Sequence, residues 1–395
     1  LDAFGELAVA AISSRTNGRF GKYRPFLIFG AVPLGLTFIL MFIKPDLPPS
    51  QLLIVAFASH LLFRAAYAVV PMPHASLIGR LSTDANERAS IGGVKAMWSS
   101  FGTLTASWLG LSVVQYLGDG DDARGFFIFS VMFGIASATA LLMCGLFTRE
   151  RVDKDVDRHD TINFFRAAAL TAKNAPFLVF LAATLTFFIG YMLWYSSVVY
   201  YFKYYLSTAT DARTAFLCIA LGGVIGPFVW MPFIRAASKA QAWTAGCILI
   251  AAMQAALYLA GVQSLWVIAG IYFLMGIGKC AVIMNYFAMV ADAVDYGHWK
   301  SGVRVEAYSF GMLSLLTKSG MAIGGGLLGL LLGYIGFEAS DSLPEPVLAN
   351  LRLVACASPA VVIVVSGLIM TQFRISASQL KDMRADIAKR AAAAS

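Results

Sequence analysis

Two carboxylates stand four residues apart at the front of the chain, Asp2 and Glu6, and a mostly small and apolar stretch carries them into Arg15-Thr-Asn-Gly-Arg19-Phe-Gly21-Lys22-Tyr-Arg24-Pro25. That spacing puts both acids on one face of a helix. A basic turn closed by proline before another long apolar run is the join between two membrane spans. A carboxylate inside a span must be paired, protonated or bound to an ion, so its default reading is functional. The pair is a candidate for holding Na+ or carrying H+. The alternative is that both acids sit in water at a chain end.

No other acid lies inside an apolar run away from its ends, whereas four basic residues do: Arg64, Lys95, Lys279 and Lys318. Each can snorkel to an interface. Lys318 is the best placed to stay inside, because Ser319, Gly320 and Gly324 to Gly326 let helices approach closely. A lysine packed there needs an anion, and Asp2 or Glu6 is a candidate partner. Tyr191, Trp194, Tyr195, Tyr200 and Tyr201 bring polar tips on flat apolar faces, which suits either a sugar site or an interfacial belt.

The elements that must position these groups are membrane helices. Of 395 residues 59% are hydrophobic and 13% charged, with mean hydropathy +0.73, against about 45–50% and about 25% in soluble domains. The net charge of +8 would suggest nucleic acid in a soluble chain, but here the basic residues gather in short turns, so nucleic acid is not an expected partner. The five cysteines are scattered through apolar runs and read as small buried hydrophobes. His60, His74, His159 and His298 are too dispersed for a metal site. With no nucleophile motif or phosphate-cradling loop, enzyme chemistry is not expected, nor is a cofactor beyond an ion held by the carboxylate pair; Gly324-Gly-Gly326 reads as a packing feature.

Runs long enough to cross a bilayer, about 20 residues each, cover Phe26–Ile43, Leu52–Val70, Ile91–Leu117 and Phe126–Phe147. After a polar segment come Phe177–Tyr201, Ala215–Phe233, Trp243–Gly261, Leu265–Val290, Tyr308–Ile335 and Leu353–Thr371. The expected division is an N-terminal helix bundle at 1–147, a linker at 148–176, a C-terminal bundle at 177–373 and a tail at 374–395. Four spans and a partial helix precede the linker and six follow it. A six-plus-six layout would be completed by one helix and part of another ahead of Leu1, about 40–50 residues. Turns on the side of the Arg15 loop, the linker and the tail hold 21 of the 30 lysines and arginines, so that side is expected to be cytoplasmic. The turns Asp84-Ala-Asn-Glu87-Arg88 and Asp295-Tyr-Gly-His298-Trp-Lys300, the latter with Arg304 and Glu306, mix acids and bases at corresponding places in the two halves. Paired halves that rock about a midplane site are a common transporter plan.

Asp2-Ala with Glu6, Arg15-Thr, the run from Arg19 to Pro25, and Ala291-Asp292-Ala-Val-Asp295-Tyr296-Gly297 followed by Arg304, Glu306 and Lys318 together resemble the glycoside-pentoside-hexuronide:cation symporters of the major facilitator superfamily, the melibiose-carrier group. Tyr67, Pro73 and the Asp84 to Arg88 turn extend the likeness over nearly the whole chain. The resemblance implies an all-α fold of two six-helix bundles and symport of a sugar or glycoside, hexuronides included, with Na+ or H+ by alternating access. It places cation coupling at Asp2 and Glu6 and matches Lys95 and Lys318 to the family's basic residues; with Tyr67 and the aromatics of the Phe177–Tyr201 run, the candidate substrate residues are Lys95, Tyr67, Tyr191, Trp194 and Lys318. Gating or loop roles fall to Arg19, Gly21, Lys22, Arg24, Asp84, Arg88, Asp292, Asp295, Arg304 and Glu306. A multi-pass monomer in the cytoplasmic (inner) membrane, in contact with lipid, is the expected state. The chain departs from the family at Glu6-Leu7, where Asp-Pro is usual, at Pro71 and Ala75, where an acidic or amide residue and a stacking Trp are usual, and at Ala10 and Ser14. A sodium-coupled lysolipid symporter of the same wider group is the rival within transport. A membrane-embedded lipid-modifying enzyme or a transport-deficient sensor is the rival outside it.

Overall fold

The computed structural model describes residues 23–71, 112–150, 164–206, 212–260, 264–303, 305–338 and 343–394, with single positions elsewhere. The chain divides into two compact units, Leu1–Asp160 and Thr161–Ser395. The described elements are helices. Eight of them are long and apolar enough to cross a membrane.

In the first unit the described helices are α1 (Arg24–Leu40), α2 (Pro49–Val69) and α3 (Asp122–Phe147). Pro25 lies in the first turn of α1, where its missing N–H would have had no partner in any case. Asp121 caps α3 by accepting from the backbone N–H of Ala123 at 2.9 Å and Arg124 at 3.3 Å. The acidic turn just before it reverses at Asp119 and Gly120, both with positive φ. α1 and α3 approach through paired glycines: a Cβ on Gly35 would lie 2.8 Å from the Gly134 carbonyl oxygen, and one on Gly134 would lie 3.0 Å from that of Gly35. Small residues replace side-chain interdigitation here, because lipid supplies little hydrophobic drive to press two spans together. The predicted span at 91–117 lies mostly outside the described residues.

The second unit contains α4 (Phe164–Ala172), α5 (Ala175–Tyr200), α6 (Ala212–Ala236), α7 (Lys239–Ala260), α8 (Leu265–Ser301), α9 (Glu306–Tyr334), α10 (Glu345–Arg352), α11 (Ser358–Met370) and α12 (Ala377–Ala394). α5 continues into a π-helical turn at Tyr201–Tyr205, and a second π turn at Leu353–Ala357 joins α10 to α11. The core is aromatic: Phe177, Phe180, Phe187 and Trp243 are fully buried, with Tyr286 packed among them. Ser366 bridges three helices, accepting from the Trp243 indole at 3.2 Å and donating to the Ala183 carbonyl at 2.7 Å. α6 and α8 meet even more closely than α1 and α3, since a Cβ on Gly276 would fall 2.3 Å from the Ile219 carbonyl oxygen.

One boundary differs from expectation. α8 runs 37 residues, to Ser301, about 55 Å, far beyond the expected end at Val290 and beyond a hydrocarbon core of about 30 Å. The stretch from Asp295 to Lys300, expected from sequence to be a turn, is the last part of that helix. It stops only where Gly302 takes a left-handed φ of +71°. In the Gly324 to Gly326 run, only Gly324 packs tightly, 2.4 Å from the Ile189 carbonyl by its notional Cβ, and Gly320 repeats the contact against Leu185 one turn earlier; Gly325 and Gly326 face open space.

Candidate functional site

Asp2, Glu6, Lys95, Arg19, Lys22, Asp84, Arg88 and Arg304 lie outside the described residues. Gly5, which stands between the two acids in sequence, packs against Ala68 of α2, where a Cβ would come within 2.7 Å of the Ala68 side chain. Tyr67, the neighbour of Ala68, is 38% exposed and tilts against Phe63 at 6.0 Å.

The basic turn before α1 is anchored to the end of α3. Gly21 has φ +91°, and a Cβ there would collide with the Glu150 carboxyl group at 2.7 Å, so both backbone and space require glycine. Glu150 accepts from the backbone N–H of Tyr23 at 2.9 Å and Arg24 at 3.2 Å. Arg24 donates from Nε to the Gly145 carbonyl at 2.8 Å and from Nη2 to that of Leu146 at 3.0 Å. A guanidinium thus satisfies carbonyls at the C-terminal end of α3 that have no intrahelical partner. The sequence marks Gly21 and Arg24, but nothing in it distinguishes Glu150 from the rest of the polar linker.

Inside the second unit, Tyr191 is half-buried, lies parallel to Phe187 at 6.2 Å, and touches Trp194 and Tyr195. Above its ring, 5.9 Å from the centroid, is the ammonium group of Lys279. Lys279 is the fifteenth residue of α8, about 20 Å along the helix from its Leu265 end. It is half-buried against α5 rather than carried to an interface. None of the spans in this unit contains Asp or Glu away from its ends, and no ion pair forms at Lys279 among the described residues. Its ammonium is therefore held by an aromatic face. Trp194 is 1% exposed, and its indole N–H has no partner among the described residues. It belongs to the core here, whereas Tyr191, one turn away, keeps a partly open face. Lys318 is half-buried on α9 beside Thr317, whose hydroxyl bonds the Tyr286 hydroxyl.

At the tail end of the same unit the charges are paired. Asp292 and Asp295, both buried, sit one turn apart on α8. Lys239 at the start of α7 lies 2.5 Å from Asp292. Arg384 of α12 reaches Asp295 through Nε at 2.8 Å and Asp292 at 3.6 Å. A turn further on, Trp299 donates its indole N–H to Asp386 at 2.9 Å, and Arg390 donates to both Asp386 at 2.7 Å and the Trp299 carbonyl at 3.0 Å. The Trp299 hydrogen bond, then Arg390, holds the Asp386 carboxyl below the ordinary carboxylate range. Asn174 adds a clamp: it caps α5 through Phe177 N–H at 3.1 Å and donates to the Ala293 carbonyl at 2.8 Å. A Cβ on Gly297 would collide with that amide at 2.7 Å. Asn174-Ala-Pro is a readable cap signal, although its second partner is not. Glu306 opens α9; its side chain lies outside the described set. Among the described residues no group of histidines, cysteines and carboxylates could hold a metal ion.

A profile of the MFS/sugar transport protein family matches residues 1–377. The Inner membrane symporter YicJ of Escherichia coli K12 is 25% identical over 86% of this chain and 74% of its own. The Isoprimeverose transporter of Lactiplantibacillus pentosus is 26% identical over 87% and 72%. The Glucuronide carrier protein homolog of E. coli K12 is 22% identical over 98% and 85%. In fold, the chain is similar to the E. coli fucose:proton symporter FucP, with TM-score 0.63 at 13% identity over 94% of this chain and 88% of that one. These relatives and neighbours are transporters rather than enzymes. The acid-and-base pattern, the helical spans and a family match over nearly the full length agree: the chain belongs to the MFS/sugar transport protein family, among the glycoside-pentoside-hexuronide:cation symporters of the major facilitator superfamily.

Proposed function

We propose that the protein carries a sugar or glycoside across the cytoplasmic membrane together with a cation, by alternating access, and that its substrate is an acidic sugar such as a hexuronide. The observation that carries the finer reading is charge. Lys279 lies in a span of a unit that has no acid in its spans away from their ends, and its ammonium is held by the Tyr191 ring alone among the described contacts. An uncompensated cation at that depth is costly. A substrate carboxylate offsets it, whereas a neutral glycoside does not. Tyr191 offers a face for the sugar ring, with Lys318 as the contact for the acid in the same unit; Tyr67 and Lys95, candidates from the sequence, are assigned to substrate as well. Trp194 backs Tyr191 from the core.

Asp2 and Glu6 are the coupling residues in this reading. A Na+ cage needs several oxygens at close range, and Pro71 removes one expected ligand. A proton needs a single carboxylate, so H+ is the favoured ion. The basic excess of the linker and tail sides puts both in the cytoplasm. Arg19, Gly21, Lys22, Arg24, Asp84, Arg88, Asp292, Asp295, Arg304 and Glu306 then form the cytoplasmic ends that tighten and release as the halves rock, each chain acting as a monomer.

Proteoliposome uptake under imposed Na+ and H+ gradients tests this. Gradient-driven accumulation of unmodified sugar is expected, with a glucuronide competing better than the matching glucoside. Asp2→Asn with Glu6→Gln should reduce accumulation to the no-gradient level. Unchanged accumulation in that double variant would remove the coupling assignment. Equal competition by both sugars, unaltered in Lys95→Gln and Lys318→Gln, would remove the acidic substrate.

A further inference from the structure

A groove of about 590 Å³ opens on the tail side of the second unit, between the start of α7 and the chain leaving α11. Its two ends differ in chemistry. Ala245 and Ile248 form the part that runs up along α7 into the span, and Ile248 is largely exposed. Gln241 and Arg374 stand at the mouth, where the span ends; both are exposed, and neither side chain makes a hydrogen bond or ion pair among the described residues. Ser238 beside them caps the backbone N–H of Gln241. No acid lines the groove. The neighbouring Lys239 is already committed to Asp292, which leaves Arg374 and the positive end of the α7 dipole as uncompensated charge at the mouth.

A surface that is apolar at bilayer depth and cationic at the boundary matches one molecule that is present around every membrane protein. A sugar leaves the apolar wall uncovered, and free phosphate fills only the mouth. We infer that this groove binds a single anionic phospholipid, with its phosphate on Arg374 and Gln241 and an acyl chain along Ile248. The volume lies within the range of small-molecule sites, and basic pockets between spans at the tail-side boundary are where anionic headgroups are held. The occupant also touches the link to the tail. Buried Phe373 lines the groove together with Arg374, a few residues before α12, whose Arg384 reaches Asp292 and Asp295. A lipid here braces the join between the last span and the tail. This inference depends on the membrane fold and not on which sugar or cation is carried.

The test is native mass spectrometry of the full chain released from detergent with equimolar phosphatidylglycerol and phosphatidylcholine of identical acyl chains. One phosphatidylglycerol should stay bound in preference to phosphatidylcholine. Arg374→Gln should reduce its retention about five-fold, as expected for one basic residue at an anionic surface, while Arg374→Lys keeps most of it. Ile248→Asn should weaken retention of the same lipid without altering the mouth, and millimolar inorganic phosphate should not displace it. Equal retention of the two lipids would overturn the inference. So would retention unchanged in Arg374→Gln, or displacement by phosphate, which would identify a site for the free anion.

Discussion

Within the second unit, the tail end and the interior handle positive charge in opposite ways. Lys239 and Arg384 meet the buried carboxylates of Asp292 and Asp295. Lys279 meets the face of Tyr191. Arg352, toward the other end, lies over the rings of Tyr205 at 5.4 Å and Tyr258 at 5.2 Å, donates to the Tyr258 carbonyl, and leaves a buried Nε without a partner among the described residues. The difference teaches which charges are structural and which are left available. A cation neutralised by a fixed carboxylate has little attraction left for a ligand. One held by π-faces and carbonyls has no fixed counter-charge, and in a low-dielectric setting that leaves it open to an anion.

The sharpest way to break this contrast is to neutralise one cation of each kind. Lys279→Gln is expected to weaken competition by a glucuronide about ten-fold to one-hundred-fold, the worth of a hydrogen bond to a charged group. It should leave the matching glucoside unchanged and should not lower thermal stability, since no fixed partner is orphaned. A loss of stability with no change in sugar preference would show Lys279 to be structural. Asp292→Asn should do the reverse, costing about 1–2 kcal/mol because Lys239 and Arg384 lose a shared partner while remaining partly in water. Thermal unfolding of the purified transporter measures it, and a null result would mean that the tail cluster is ornamental to the fold.

A smaller effect probes the aromatic clamp. Arg352→Lys keeps the charge but removes the planar group that lies over two rings, so a loss of about 1 kcal/mol is expected in the same unfolding measurement. Smallest of all is the pH response of Asp386. Its carboxyl is held below the ordinary range by Trp299 and Arg390, so its contribution is present above the ordinary carboxylate pKa and is lost as pH falls through the depressed value. Protease cleavage of α12 should rise modestly only in that acidic window, and Trp299→Phe should move the rise to higher pH. A cleavage profile flat with pH in both proteins would detach Asp386 from the contacts that hold α12 to Trp299.

Residue types alone determine much here. Apolar runs of span length, separated by basic turns, dictate a helical membrane protein, because backbone groups in lipid must be bonded within their own segment. The same runs hold no acid in the second half, so an excess of positive charge at depth is readable before any folding. What hydropathy cannot mark is the end of a helix as distinct from the end of its contact with lipid. From Ala291 to Ser301 the chain turns polar with no proline and with only Gly297, packed on Asn174, before Gly302, so α8 continues past the apolar run and converts an expected turn into a rigid post carrying Asp292 and Asp295. Nor does sequence say which face of a helix meets a neighbour. Trp194 and Tyr191 are alike in composition and one turn apart, yet packing buries one and leaves the other beside Lys279. Whether a span lysine escapes to the interface or stays inside depends on the helix opposite it. That helix is supplied by residues nearly ninety positions away, a contact that only close packing of α5 against α8 brings into being.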